Sequence, residues 1–432
     1  MMSKEVSHQK AAVLGLQHLL AMYSGAVAVP LLIGTALKFS SQQMTYLVSI
    51  DIFMCGLATL LQLLRNRYFG IGLPVVLGCA IQAVAPLQMI GKNFSVGTMY
   101  GAIIAAGVFV FCIAGFFAKI RKLFPPIVTG SLITIIGLSL IPVAIQNLGG
   151  GDATAKDFGS PKNLIVGFLT ILIILMLEAW TTGFLKSISV LIGLIAGSLI
   201  AAGLGMVSLK PVTQASWFHF PRFFYFGKPV FEWSSCLTMM IIALVSLVES
   251  TGVFFALGDL LHRDISEEDL KRGYRAEGLA QILGGLFNTF PYTTFSQNVG
   301  LLQLSGIKTK RPIYWAASLL MLMGLLPKIG ALVTIIPTPV LGGAMLVMFA
   351  MIAVQGFKML SKIDYSNYQN LLVVAISVGL GLGVSVYPQI FQSLPETVQL
   401  FLGNGIVVGS ISAVGLNLLF QTKKQPAKVA AN

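Results

Sequence analysis

The sequence predicts an all-α polytopic membrane protein of about 14 crossings, arranged as two inverted seven-crossing repeats. Three observations carry this. Of 432 residues, 56% are hydrophobic and only 10% charged, where soluble domains carry about 25% charged residues. The apolar residues come in blocks long enough to cross a bilayer as helix, such as Leu164–Met176, Leu191–Met206 and Leu371–Val386 with their flanks. They lack the alternation of barrel strands, so helix is the form that satisfies their backbone in lipid. Third, two Gly/Pro-interrupted stretches, GLPVVLGCAIQAVAP and TFPYTTFSQNVG, fall at the third and tenth crossings, equivalent places in a seven-plus-seven plan.

In order, the first crossing is Ala11–Leu37, after a polar start, and the second Met44–Leu64, closed by Arg65 and Arg67. Gly70–Ile90 is the broken third. Tyr100–Ala118, Pro125–Ile145, Leu164–Phe184 and Ile188–Leu209 complete the first half. A wetter connector, Lys210–Trp233, leads to Cys236–Leu261, Leu279–Phe290 and the broken tenth piece Phe295–Leu304. Pro312–Leu326, Pro339–Phe357, Leu371–Tyr387 and Val398–Phe420 end the series. An even count puts both termini on one side. With the termini inside, inner loops and tails hold 20 of the 28 basic residues, as cytoplasmic loops should. These include Lys119, Arg121, Lys122 and the Arg263–Arg275 loop. The halves also share a local pattern: PPIVTGS at Pro125–Ser131 and PTPVLGG at Pro337–Gly343 match in Pro, Val and Gly.

The net charge of +13 does not point to nucleic acid, because the basic residues sit in connectors rather than along one face. Cys55, Cys79, Cys112 and Cys236 show no CxxC spacing and are expected to be small buried residues, with no metal site and no disulfide. No cleavable signal segment is expected, and no cofactor.

Polar groups inside apolar spans are costly and therefore informative. Glu249 has no Lys or Arg in its own span. It must be protonated or paired with another element or a ligand, and its two oxygens can accept two parallel N–H bonds. A purely structural acid is the competing reading. Glu277 reads equally well as an interfacial ion pair near the basic loop, and His18 as a buried, hydrogen-bonded histidine. Asp51 and Glu178 read as structural or boundary groups. In Phe290–Ser305, Pro291 and the Thr-Thr pair predict an extended stretch that becomes helix near Gln297, presenting helix-start N–H groups to a ligand. Gly300, and Gly78 in the third crossing, would allow close backbone approach. The bland alternative is two packing breaks with satisfied polar groups.

Gln297-Asn298-Val299-Gly300, followed by Ser305 and Gly306, resembles the signature of nucleobase–ascorbate transporters. Gln17-His18, Glu249-Ser250-Thr251-Gly252 and Glu277 resemble that family's first-, eighth- and ninth-helix positions, over about residues 10–420. YRAEGLAQILGGLFNTFPYTTFSQNVGLLQL resembles its Gram-positive xanthine and urate permeases. The resemblance implies a core domain (11–122 and 235–330) and a gate domain (123–234 and 331–420), with cytoplasmic tails 1–10 and 421–432. It implies proton-coupled, elevator-like purine uptake across the bacterial cytoplasmic membrane, xanthine first, then urate, then uracil or an anion. A homodimer through the gate domain also follows from it. Glu249, Gln297, Asn298, Val299, Gly300, Ala80, Ile81 and Gln82 are the expected substrate residues, with backbone N–H groups near Ala80 and Val299 completing the pairing. Glu249, Glu277 and His18 are the expected proton-coupling or site-organising groups. Two departures stand out: Val253, where some members carry His or Asp, and Gln82, where relatives show a small residue or Thr. An anion carrier should place neutral or cationic groups where Glu249 lies, and no HExxH or Ser/His/Asp arrangement points to an enzyme.

Overall fold

A computed structural model of the chain describes residues 7–120, 125–306 and 308–421. Arg121, Lys122, Lys4 and the tail lysines Lys423, Lys424 and Lys428, used above for orientation, lie outside them. The elements in chain order are α1 (His8–Ala36), α2 (Ser41–Leu63), β1 (Leu77–Cys79), a 3-10 turn (Ile81–Ala83), α3 (Val84–Asn93), α4 (Val96–Ile120) and α5 (Pro126–Gly149). Then follow α6 (Pro161–Trp180), α7 (Gly183–Ser187), α8 (Ser189–Gly203), α9 (Lys210–Gln214), α10 (Trp233–Leu261) and α11 (Glu267–Leu286). After these come β2 (Tyr292–Thr294), α12 (Gln297–Ser305), α13 (Arg311–Gly324), α14 (Pro327–Thr334), α15 (Thr338–Leu360), α16 (Tyr368–Val386), α17 (Glu396–Leu402) and α18 (Gly405–Gln421).

The helices begin where side chains can satisfy the first N–H groups. Ser40 and Gln43 form a capping box on α2, and Ser266 and Asp269 form one on α11. Ser160 caps α6, with Pro161 in its first turn. Among the described residues, eight helices are long and apolar enough to span a bilayer, or nine if α13 and α14 count as one span bent by 82°. Fewer whole helices than the expected crossings appear for physical reasons. The third and tenth crossings are half strand, α8 and α18 are short, and α11 opens with six charged residues in its first ten. The eleventh crossing was expected to end at Leu326, but the chain turns sharply at Pro327 and continues as α14.

The described chain forms two compact units. One comprises Met1–Lys119 and Leu140–Phe349, and the other Ile120–Ser139 and Ala350–Asn432. In the first, α1 and α2 pack on α13, and α2 also carries β1 and α11. In the second, α16 packs along α18. The repeat is visible in one pair of contacts. A methyl group at Gly342 would lie 2.1 Å from the Leu148 backbone nitrogen, and one at Gly130 would lie 2.9 Å from the Leu360 side chain. Gly130 and Gly342 are the matching glycines of PPIVTGS and PTPVLGG, and the same offset carries Leu148 onto Leu360. Each helix of the pair thus meets the other's equivalent residue, as a two-fold relation requires.

Candidate functional site

β1 and β2, the extended parts of the third and tenth crossings, pair antiparallel, with Leu77 opposite Thr294, Gly78 opposite Thr293 and Cys79 opposite Tyr292. Two further bonds extend the ladder: Ala80 N–H donates to the Pro291 carbonyl and Phe295 N–H to the Val76 carbonyl, each at 2.9 Å. The Phe295 ring lies against both Gly78 and Gly25. A Cβ at Gly78 would come within 2.4 Å of it and one at Gly25 within 2.7 Å. The close approach at Gly78 is to the Phe295 ring, where the sequence reading expected one to a ligand. Two short helices start just past the ladder, the 3-10 turn at Ile81 and α12 at Gln297.

Glu249, on α10, sits beside this ladder. Gln82 donates one amide hydrogen to Glu249 Oε2 at 3.1 Å and the other to Ser246 Oγ at 2.8 Å. From β2, the Thr293 hydroxyl lies near Glu249 and bonds its neighbour Ser250. The acid thus sits between residues of both broken crossings, with its direct hydrogen bond to Gln82. Ser250, its neighbour, ties α10 to β2 through Thr293 Oγ1 (3.1 Å) and Thr294 Oγ1 (3.2 Å). On α2, Thr59 ties that helix to Leu77 of β1 by both N–H and carbonyl.

The remaining expected residues distribute as follows. Gln297 opens α12, exposed, and its side chain makes no hydrogen bond among the described residues. Asn298 is buried and gives both amide hydrogens to His18, one to its carbonyl and one to Nδ1, each at 3.0 Å. That leaves the imidazole hydrogen on Nε2, and His18 is a buried, hydrogen-bonded histidine that ties α1 to α12. Glu277 is buried, lies near Ser250 and Glu249, and makes no ion pair among the described residues. Neither of its oxygens has a hydrogen bond of regular geometry. Its reading as an interfacial ion pair is thereby excluded, and the basic loop instead pairs through Asp269, with Arg65 at 2.9 Å and Arg263 at 3.0 Å.

Two expectations need refinement. N–H groups near Ala80 and Val299 were expected to complete the pairing, but those two residues' own N–H groups are taken, Ala80 donating to Pro291 and Val299 to the Ser296 carbonyl at 3.0 Å. The donors without a backbone partner at these helix starts are Ile81 and Gln82 on one side and Gln297 on the other. At Gly300 an added Cβ would meet no atom of the described residues within 4 Å, which leaves its backbone open on that side. Cys112 is exposed on α4, unlike the other three cysteines.

Sequence reasoning passed over Ser246, Thr293 and Tyr292, and left Asp51 as a structural or boundary group. The only available signal was the density of small hydroxyls around Glu249 and in β2. Asp51 is fully buried. Its carboxylate, Cys55 Sγ and Cys79 Sγ lie within 4.8 Å of one another, a set that could hold a thiophilic ion. Its two oxygens, however, already accept from Cys79 and Tyr292. Glu178 is a boundary group, held by Ser189 and Lys186 at the end of α6.

A sequence model described as "Permease family" matches residues 9–390. The chain belongs to the nucleobase–ascorbate transporter family. The uric acid permease PucK of Bacillus subtilis is 55% identical over 411 residues, 95% of each chain. The xanthine permease of the same organism is 54% identical over 420 residues, 97% of this chain and 96% of that one. Among solved structures, the transmembrane domain of the cyanobacterial bicarbonate transporter BicA matches 96% of this chain and 100% of its own, with a TM-score of 0.62 at 15% identity. That likeness shows a shared inverted-repeat fold. The family is one of multi-pass membrane transporters and not of enzymes.

Proposed function

We propose that this chain takes up a purine nucleobase, xanthine first and urate as the competing substrate, by proton symport. The observation that carries the reading is Glu249, an acid bonded to Gln82 of the third crossing, on the helix that Ser250 ties to β2, beside two helix starts whose first N–H groups have no backbone partner among the described residues. A flat oxopurine offers adjacent N–H donors and C=O acceptors. Glu249 accepts from the ring N–H groups, the Gln297 amide both donates to a carbonyl and accepts from an N–H, and Ile81, Gln82 and Gln297 N–H groups receive the remaining carbonyls. The names of the relatives, uric acid and xanthine permeases, support this substrate class.

The cycle is alternating access of an elevator type, with residues 11–122 and 235–330 carrying substrate against a gate of 123–234 and 331–420. Glu249 or Glu277 carries the proton, because Val253 offers no titratable group. Both termini are cytoplasmic, the membrane is the bacterial cytoplasmic membrane, and the gate is the dimerisation surface. The test is radiolabelled uptake in purine-transport-deficient cells, with xanthine, urate, guanine, hypoxanthine and uracil as competitors. Xanthine or urate should compete, and a protonophore should abolish uptake in sodium-free medium. Uptake that resists the protonophore and requires sodium overturns the coupling, and competition by uracil alone overturns the substrate class.

A further inference from the structure

The ladder between β1 and β2 is only three residues per strand, and a two-stranded ribbon of that size does not hold its own register. Something must fix the point at which each strand gives way to its helix. Asp51, on α2, reaches both strands. Its Oδ2 accepts from Cys79 Sγ at 2.7 Å, and its Oδ1 accepts from the Tyr292 hydroxyl at 3.0 Å. Cys79 and Tyr292 are the opposed pair at the end of β1, two residues before Ile81. The Tyr292 hydroxyl also lies 2.8 Å from Thr289 Oγ1, which is 3.2 Å from the Gly284 carbonyl of α11; with the tyrosine proton on Asp51, the threonine can donate to one of these two oxygens. Cys55 of the same helix reaches Oδ2 only at 4.0 Å, and no Lys, Arg or His pairs with Asp51 among the described residues, so the two strand donors are its shortest partners.

We propose that Asp51 is a positioning residue for the substrate site: it clamps the Cys79–Tyr292 pair and so sets where the N–H groups of Ile81 and Gln82 stand relative to Glu249. Asp51 touches no substrate. It acts through the ladder, and the inference rests on the purine-binding reading of the site given above.

The experiment uses the full chain, purified, in a background with Cys112→Ser and Cys236→Ser so that only Cys55 and Cys79 remain. Three variants, Asp51→Ala, Asp51→Asn and Tyr292→Phe, are compared with this parent. Equilibrium binding of radiolabelled xanthine and urate, thermal melting, and the rate of N-ethylmaleimide addition at Cys79, read by peptide mass, are measured. Asp51→Ala should weaken binding at least tenfold and speed Cys79 modification at least tenfold. Asp51→Asn should recover most of the affinity, because its amide oxygen still accepts from Tyr292. A merely structural role lowers the melting temperature of Asp51→Ala while leaving binding within twofold of the parent, and that result overturns the proposal. If Asp51→Ala is not recovered folded, Tyr292→Phe decides. It removes one hydroxyl, and binding at least threefold weaker upholds the clamp, whereas unchanged binding overturns it. If the parent binds neither purine, the proposed function fails, and the clamp is judged on Cys79 alone: protection lost in Asp51→Ala upholds it, protection kept overturns it.

Discussion

Gln82 and Glu249 are joined across the two broken crossings' shared site by a 3.1 Å hydrogen bond, with Ser246 taking the second hydrogen of the same amide. An acceptor that the substrate needs is thus occupied by a protein amide, and Gln82 also takes up room beside the acid. Gln82→Ala frees one oxygen of Glu249 and enlarges the site. Urate carries one more carbonyl oxygen than xanthine and should gain more from that room. We expect the urate-to-xanthine affinity ratio to rise about tenfold, or about 1.4 kcal/mol. Competition constants measured side by side check this, and an unchanged ratio removes Gln82 from substrate choice.

Glu249 only accepts when ionised, whereas Gln297 both donates and accepts. Glu249→Gln sets a donor amide against ligand donors and against Gln82. The expected loss is about 1–3 kcal/mol, about tenfold to a hundredfold in affinity. Gln297→Glu should weaken purine binding and move preference toward uracil. Direct binding to purified protein, with a melt as folding control, is the measurement. Parent-like binding by both folded variants disproves the assignment.

Asn298 faces His18 and not the open side of α12. Asn298→Ala should therefore leave the order of substrate preference intact and lower turnover, because the start of α12 loses its tie to α1. It also strands a buried ring nitrogen and carbonyl, a destabilisation of about 1–3 kcal/mol. Uptake rates compared with binding constants separate the two effects.

Glu232 caps α10 from outside the span, accepting from the Ser234 and Ser235 N–H groups at 2.9 and 2.6 Å. Burial pushes its carboxyl up, but the hydrogen bonds from Ser234 and Ser235 outweigh this and hold it at about 2. A depressed carboxyl contributes stability that is complete above its usual pKa of 4.5 and lost as pH falls from there toward 2. Glu232→Ala should cost about 0.5–2 kcal/mol at neutral pH. The gap between variant and parent melting temperatures should close between pH 4.5 and 2. A gap that is constant across that range denies the cap its charge.

Much of this was legible in the sequence because lipid makes local pattern decisive. Apolar length gave the long helices, and Pro291 with the Thr pair gave an extended stretch before Gln297. What could not be read was partnership. That β1 pairs with β2 consumes the Ala80 N–H, which is why the donors of the third crossing are Ile81 and Gln82. Asp51 read as structural because its partners, Cys79 and Tyr292, are 28 and 241 residues away. Gln82 was noticed as a departure, but only the fold brings it onto Glu249. The turn at Pro327 was invisible because α14 is apolar on either reading.

Two glycines at equivalent crossings separate packing from recognition. At Gly78 a methyl group would sit 2.4 Å from the Phe295 ring, with Gly25 pressing the same ring from the other side. Phe295 cannot retreat between them, so Gly78→Ala must open the ladder, and overpacking of this kind costs about 1–3 kcal/mol. We expect it to lower the melting temperature and binding together. At Gly300 a methyl group meets no atom of the described residues within 4 Å. Gly300 lies one turn after Gln297, within α12, where alanine is also the better helix former by about 1 kcal/mol. Gly300→Ala should therefore leave the melting temperature unchanged or slightly raised. If substrate packs against this backbone, as the proposed site requires, the same methyl group should weaken purine binding at least tenfold. A melt and a binding isotherm on the two variants give the answer. Full affinity in Gly300→Ala would place the substrate away from the start of α12 and return Gln297 to the role of an exposed helix-start residue.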